Sequence, residues 1–198
     1  MRYKFAERLE FSLGKNIRQD EQIISRIISG CQKVEKTNVS ADKNGIDYVA
    51  QLSGGGKVNI DVKMRDKGAS KYWRYGEPEL ALELWSVCPD DTNAGKRGWT
   101  LSTSTQVDYI LYKFHEQDSK KLYLLPYQQL RMSFLRNGGE WINKYGSKRQ
   151  SSGGWQSEAV FVPASLVLKG ILNEMEQTLS VEAIERSVKR EQILTNWR

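Results

Sequence analysis

Three ionisable residues in the segment GIDYVAQLSGGGKVNIDVKMRD, residues 45–66, are spaced so that their tips can meet: Asp47, Asp61 and Lys63. Two carboxylates held close together repel each other unless something cationic lies between them. Oxygen ligands at that spacing suit a hard ion such as Mg²⁺ or Mn²⁺, which keeps several waters and takes one or two carboxylates plus phosphate oxygens from a substrate. An ion of that kind lowers the pKa of its bound water, and a lysine beside it can orient that water or steady charge on a phosphate. Such a set is equipped for metal-dependent hydrolysis of a phosphodiester.

The segment that must position these residues reads as two short strands around a glycine turn. In KVNIDVKMR, side chains alternate, so Val58, Ile60, Val62 and Met64 share an apolar face while Asn59, Asp61, Lys63 and Arg65 share the other. In IDYVAQL, Ile46, Tyr48, Ala50 and Leu52 fall together and leave Asp47, Val49 and Gln51 opposite. Two registers keep both apolar faces together. One sets Ser53 against Lys57 and Asp47 against Lys63; the other, slipped by two, sets Asp47 against Asp61. In both, Asp47 lies beside Asp61 and Lys63, within roughly 5 to 8 Å at Cβ. A plainer reading stands next to this one: an Asp across from a Lys on a wet hairpin face is a common surface ion pair, worth about 0–1 kcal/mol.

Asp47, followed after a hairpin turn by Asp61-Val62-Lys63, resembles the PD-(D/E)XK nuclease superfamily, whose members have a restriction-endonuclease-like fold. The resemblance extends in outline to a helix before the hairpin, an inner strand at VDYILYKF and a helix after KLYLLP, covering about residues 15–136. Ile46 stands where the motif's name has Pro. The resemblance implies that Asp47 and Asp61 are metal ligands, with the Val62 backbone carbonyl as a third, and that Lys63 activates or positions water. It also implies an additional acid from the preceding helix, for which the candidate is Glu21, with Glu7 and Glu10 behind it. Glu21 equally suits a helix first turn, where it offsets the macrodipole. Glu83, on the polar parity of ELALELWSV, is a further candidate for the same cleft.

The remaining elements follow from periodicity and punctuation. Helical spacing appears in KFAERLEFSL and in DEQIISRIISGC, where Ile23, Ile24, Ile27 and Ile28 form one face. Strand patterns follow at VEKTNV, ELALELWSV, VDYILYKF and KKLYLLP, and PDDTNAGKRGW, residues 89–99, reads as a loop. PYQQLRMSFLRN reads as a helix with Pro126 in its first turn. A short strand then leads to a helix opening after Pro163, and SVEAIERSVKREQILTNW reads as a further charged, amphipathic helix. The order of elements predicts one α/β domain over residues 1–198, a central mixed sheet flanked by helices, with the strand and helices of 155–198 packing on a restriction-endonuclease-like core.

Composition bounds the partners. The chain has 198 residues, with 30 Lys and Arg against 24 Asp and Glu, and this excess of six cations favours an anionic partner, nucleic acid first. Cys31, Cys88 and one histidine build neither a disulfide framework nor a zinc site. No apolar run spans a membrane and the N-terminal residues carry no apolar signal core, so a cytoplasmic protein is expected. GGG in LSGGGKV is not followed by GK[ST] or a helix, which excludes a P-loop. Candidate nucleic-acid contacts are Arg65, Lys67, Lys71, Trp73 and Arg74, directly after the acidic strand, and Lys96 and Arg97 in GKRGW. Cations neutralise phosphates, and flat rings stack on bases. NKYGSKRQSSGGW adds Lys144, Lys148, Arg149 and Trp155. The expectation is thus a Mg²⁺- or Mn²⁺-dependent nuclease, acting on DNA rather than RNA, for which a homodimer would allow two coordinated cuts. The alternative is a non-catalytic module that binds nucleic acid or a protein partner on the same fold.

Overall fold

The computed structural model describes residues 17–37, 45–65, 73–114, 121–152 and 154–195. The sequence reading of a helix in KFAERLEFSL lies outside the described residues, as do Glu7, Glu10, Lys67, Lys71 and His115.

The chain opens with α1 (Ile17–Ile27), then forms an antiparallel meander of β1 (Cys31–Lys36), β2 (Tyr48–Leu52) and β3 (Lys57–Arg65). The turn between β2 and β3 decides the register. Leu52 N–H donates to the Gly56 carbonyl at 2.9 Å and Gly55 N–H to the Leu52 carbonyl at 2.9 Å. Gly55 has φ +80°, the left-handed conformation that this three-residue loop demands and that a side chain would strain. Tyr48 therefore pairs with Ile60 and Ala50 with Val58. Of the two registers open to the sequence, this is the one that carries Asp47 to the position across from Asp61.

β6 (Tyr109–Phe114) then runs parallel to β3, and β7 (Leu122–Pro126) antiparallel to β6, giving a five-stranded mixed sheet in the order β1-β2-β3-β6-β7. A parallel neighbour requires a crossover. Here the crossover holds β4 (Glu79–Val87) and the two-residue β5 (Lys96–Arg97), which belong to a different sheet. After β7 come α2 (Tyr127–Tyr145), β8 (Ser147–Ser152), β9 (Trp155–Pro163) and α3 (Ala164–Thr195). β9 pairs with β4 on one side and β8 on the other, so the second sheet is a four-stranded antiparallel one, β5-β4-β9-β8.

The fold is therefore α/β, as the order of elements predicts, but the strands at 79–87 and 155–163 do not join one central sheet. Several boundaries also shift. Pro126 caps α2 from outside rather than sitting in its first turn. The basic segment around Lys148 is a strand, and the two C-terminal helices read from sequence are one helix of 32 residues. No described helix is long and apolar enough to cross a membrane.

Each face of the mixed sheet has its own core. Tyr48, Ala50, Ile60 and Leu111 lie under Ile24 of α1 and Ile28 just past its end. The helix meets the sheet through Asp20, Ile24 and Ile28, a strict i, i+4 series, while Ile27 is 41% exposed, so the inward stripe is narrower than the four-isoleucine face. The opposite face carries Ile110, Tyr112, Phe114 and Leu125 into a larger core with Leu80, Leu82, Val160 and Val162 of the second sheet and the inner stripes of α2 and α3. Each fully buried Leu or Ile contributes about 1.5–3 kcal/mol. Ala81 N–H donates to the Tyr112 hydroxyl at 2.9 Å, a bond from the free edge of β4 to the mixed sheet that fixes where the cleft between the two sheets opens.

Candidate active site

Asp47 lies one residue before β2, and its backbone is held from both sides. Its N–H donates to the Ile60 carbonyl at 2.9 Å, and its carbonyl accepts from Thr37 N–H at 2.9 Å. The Thr37 hydroxyl is shared between the carbonyls of Ile46 and Asp47. With its backbone fixed, the Asp47 side chain reaches past the end of β2, and its Oδ2 accepts from Val62 N–H at 2.7 Å. In an extended strand, N–H and C=O of one residue project to the same edge, so the Val62 carbonyl also faces the Asp47 side, where β2 has ended.

Asp61 and Lys63 point to the other face from Ile60 and Val62. Asp61 is 3% exposed. Lys63 donates to both of its carboxylate oxygens, at 2.9 and 2.7 Å. Burial is the largest influence on Asp61 and pushes its carboxyl up; the Lys63 charge pulls the other way, and the neighbouring Asp47 charge adds to the rise, leaving it at about 7. Burial alone would lower Lys63, but the charges of Asp61, Asp47 and Glu83 outweigh it and raise it. Lys63 is thus a cation throughout the neutral range, a donor rather than a base.

Glu83 reaches the same cleft from β4. Its Oε2 accepts from the Ser86 hydroxyl at 2.9 Å and from Trp99 N–H at 3.2 Å. The segment of residues 88–99, read from sequence as a loop over 89–99 but holding the short strand β5, makes this possible because Gly98 lies against the β4 backbone: a Cβ there would stand 2.3 Å from the Glu83 carbonyl oxygen. The same approach brings the Trp99 ring under Lys63, with the ammonium 5.9 Å from the ring centroid. Tyr127 locks the loop from below, its hydroxyl at 2.7 Å from the Trp99 carbonyl and 2.9 Å from that of Ser102.

The structure thus brings Asp47, Asp61, Lys63, Val62 and Glu83 together. Glu21 is half-buried near Tyr48, and the acid of α1 that points at the sheet is its neighbour Asp20. Asp20 bonds Lys113 of β6 and accepts from the Tyr48 hydroxyl at 3.4 Å. Burial, then the Asp20 charge, drives the Tyr48 hydroxyl upward. This buried set borders a cavity of about 210 Å³ that Asp47, Val62, Met64 and Lys36 also line. Asp20 was legible as an inward residue from its spacing to Ile24 and Ile28; Lys113, mid-strand among apolar residues, gave no comparable signal.

Among the basic and aromatic candidates, Arg65 lies over the Phe161 ring at 4.9 Å inside the cleft, and Lys96 and Arg97 are exposed, with Arg97 stacked on Trp85 at 4.0 Å. Arg74 and Trp73 are committed elsewhere. Arg74 donates to the Tyr145 carbonyl and pairs with Glu79, and Trp73 packs edge-on against Phe114 with centroids 5.6 Å apart.

Among the described residues, no group of three or more His, Cys, Asp or Glu side chains converges on one point. The donor set that does exist fits a hard cation of the Mg²⁺ class. Two carboxylates face each other, one of them raised by burial and by its neighbour's charge, a strain that a cation between them relieves. Two carboxylates and one strand carbonyl leave the remaining positions to water and substrate, as Mg²⁺ prefers.

Comparison with protein-family models, with characterised proteins and with solved structures gives no match.

Proposed function

We propose that this chain is a metal-dependent nuclease that hydrolyses phosphodiester bonds, with DNA endonuclease activity as its main form. The observation that carries the reading is the pairing of Asp47 with Asp61 across the hairpin, with Lys63 bonded to the buried carboxylate. The order α1-β1-β2-β3 with a parallel β6 beside β3 supports the resemblance drawn from Asp47 and Asp61-Val62-Lys63.

Asp47, Asp61 and the Val62 carbonyl would hold a Mg²⁺ or Mn²⁺ ion. When bound, the ion supplies an acidified water and a counter-charge for the phosphate. The chain's own groups do the rest. Lys63, charged and one-third exposed, donates to the attacking water or to a non-bridging phosphate oxygen. Glu83, held by Ser86 and Trp99, adds to the charges of Asp61 and Asp47 that keep Lys63 protonated. As the water oxygen bonds to phosphorus it gives up a proton to solvent, the P–O ester bond breaks, and the leaving oxygen takes a proton from solvent. Arg65, Lys96 and Arg97 neutralise flanking phosphates.

One observation favours a second reading. Lys63 takes both oxygens of Asp61, so the pair is closed on itself, as in a module that binds nucleic acid or a protein partner without cutting. A metal titration separates the two. A nuclease binds Mn²⁺ at a site that Asp61→Asn abolishes, whereas a pure binding module has no such site to lose.

A further inference from the structure

The outward face of the second sheet is built unlike its core face. Its inner residues are Leu80, Leu82, Val160 and Val162, which pack against the main core. The other parity brings Ala81, Glu83, Ser157 and Ala159 to the floor of a cleft of about 180 Å³, with Lys63 and Arg65 of the mixed sheet on its far wall. Small side chains leave room above the sheet for roughly six waters' worth of volume. Phe161 forms the end of this floor, and two cations lie over its ring, Arg65 at 4.9 Å from the mixed sheet and Lys148 at 5.4 Å from β8. Lys148 and Gln150 are exposed, and Trp155, two residues before Ser157 on β9, falls on the same face and is 41% exposed.

We infer that this face is a platform for one strand of nucleic acid, and that the substrate is single-stranded where it meets the site. The inference rests on the nuclease reading and adds its substrate form. Arg65 and Lys148 converge on the Phe161 end of the floor, where two cations suit a backbone phosphate, and Lys63 stands on the same wall as Arg65. Trp155, on the same strand parity beyond Ser157 and bordering the neighbouring hollow with Val87 and Cys88, supplies an exposed ring on which an unpaired base stacks. The exposed ring sets the strand count, because a base offers its face to Trp155 only when it is unpaired. Lys63 lies at the wall of the cleft, bonded to the buried Asp61, so a strand held on this face passes beside the candidate site.

The test uses the full chain in EDTA, where no cutting interferes, with a fluorescently labelled oligonucleotide read by anisotropy, offered single-stranded and as a blunt duplex across a KCl series. The single strand should bind at least about tenfold more tightly. Trp155→Ala should weaken it about fivefold or more, with Trp155→Phe restoring most of the loss. Lys148→Ala should weaken it and flatten the salt dependence by close to one phosphate's share, a slope change of about 0.7. Unchanged thermal midpoints show that the variants are folded. Duplex binding equal to or tighter than single-strand binding, or single-strand affinity indifferent to both substitutions, overturns the platform. The same proteins in Mn²⁺ separate the two claims. Cutting by wild type with indifferent Trp155 and Lys148 variants defeats the platform and leaves the nuclease. Strand binding through these residues without cutting supports the platform and defeats the nuclease.

Discussion

The Lys63 ammonium bridges both carboxylate oxygens of Asp61, at 2.9 and 2.7 Å, while the Asp47 side chain beside them is tied to Val62 N–H. An ion pair so closed looks like a structural element, yet burial and Asp47 leave the Asp61 carboxyl raised to about 7. An acid whose folded pKa stands above its unfolded value of about 3.9 binds more protons when folded.

Stability should therefore fall as pH rises between about 4 and 7 on account of Asp61, by up to about 1 kcal/mol per pH unit, and be flat above that window. The check is urea unfolding of wild type and Asp61→Asn in EDTA across this range. The difference between the two isolates the group, and the variant should be at least as stable as wild type at pH 8. A variant less stable at pH 8 would make the pair a stabilising ion pair.

Asp47 has two separable jobs. Asp47→Asn keeps an acceptor oxygen for Val62 N–H and should fold nearly as well as wild type while losing Mn²⁺ binding by calorimetry. Asp47→Ala leaves that N–H without its partner and should cost a further 1–3 kcal/mol, roughly, in urea.

Gly98→Ala should shift the loop that carries Trp99, because the added methyl would stand 2.3 Å from the Glu83 carbonyl oxygen. We expect a drop in thermal midpoint of several degrees and a loss of cutting, since Trp99 and Glu83 both act on Lys63. A variant with wild-type midpoint and activity would show that the loop does not position the site.

Asp20 and Lys113 form the buried pair on the opposite face. Removing one partner, as in Asp20→Asn or Lys113→Met, should destabilise by about 3–5 kcal/mol, whereas Asp20→Leu with Lys113→Met should recover most of the loss. Denaturant midpoints of the three proteins provide the comparison.

Much of the site was legible because hairpin arithmetic has few solutions. Alternation around residues 46–64 left two registers, and both brought Asp47 to Asp61 and Lys63; the left-handed Gly55 selected one. Glu83 was legible by parity, because a strand holding Leu80, Leu82 and Leu84 on one side must show Glu83 on the other. The second sheet was not legible. Whether a strand in a crossover joins its neighbours or waits for a partner seventy residues later depends on β9, and nothing within residues 79–87 encodes that choice. The roles of Trp73 and Arg74 were equally hidden, since composition favours a stacking ring and a free cation there while Phe114 and Tyr145, distant in sequence, claim both.

The central claim is that the Asp47, Asp61 and Lys63 cluster cuts phosphodiester bonds with a divalent ion. Its most direct test is cleavage of plasmid and of single- and double-stranded oligonucleotides in Mg²⁺, Mn²⁺ or EDTA, with wild type beside Asp61→Ala and Lys63→Ala. Cutting should require the metal, and each substitution should reduce it by about a hundredfold or more. Metal-dependent cutting that survives both substitutions, or none by wild type, would contradict it.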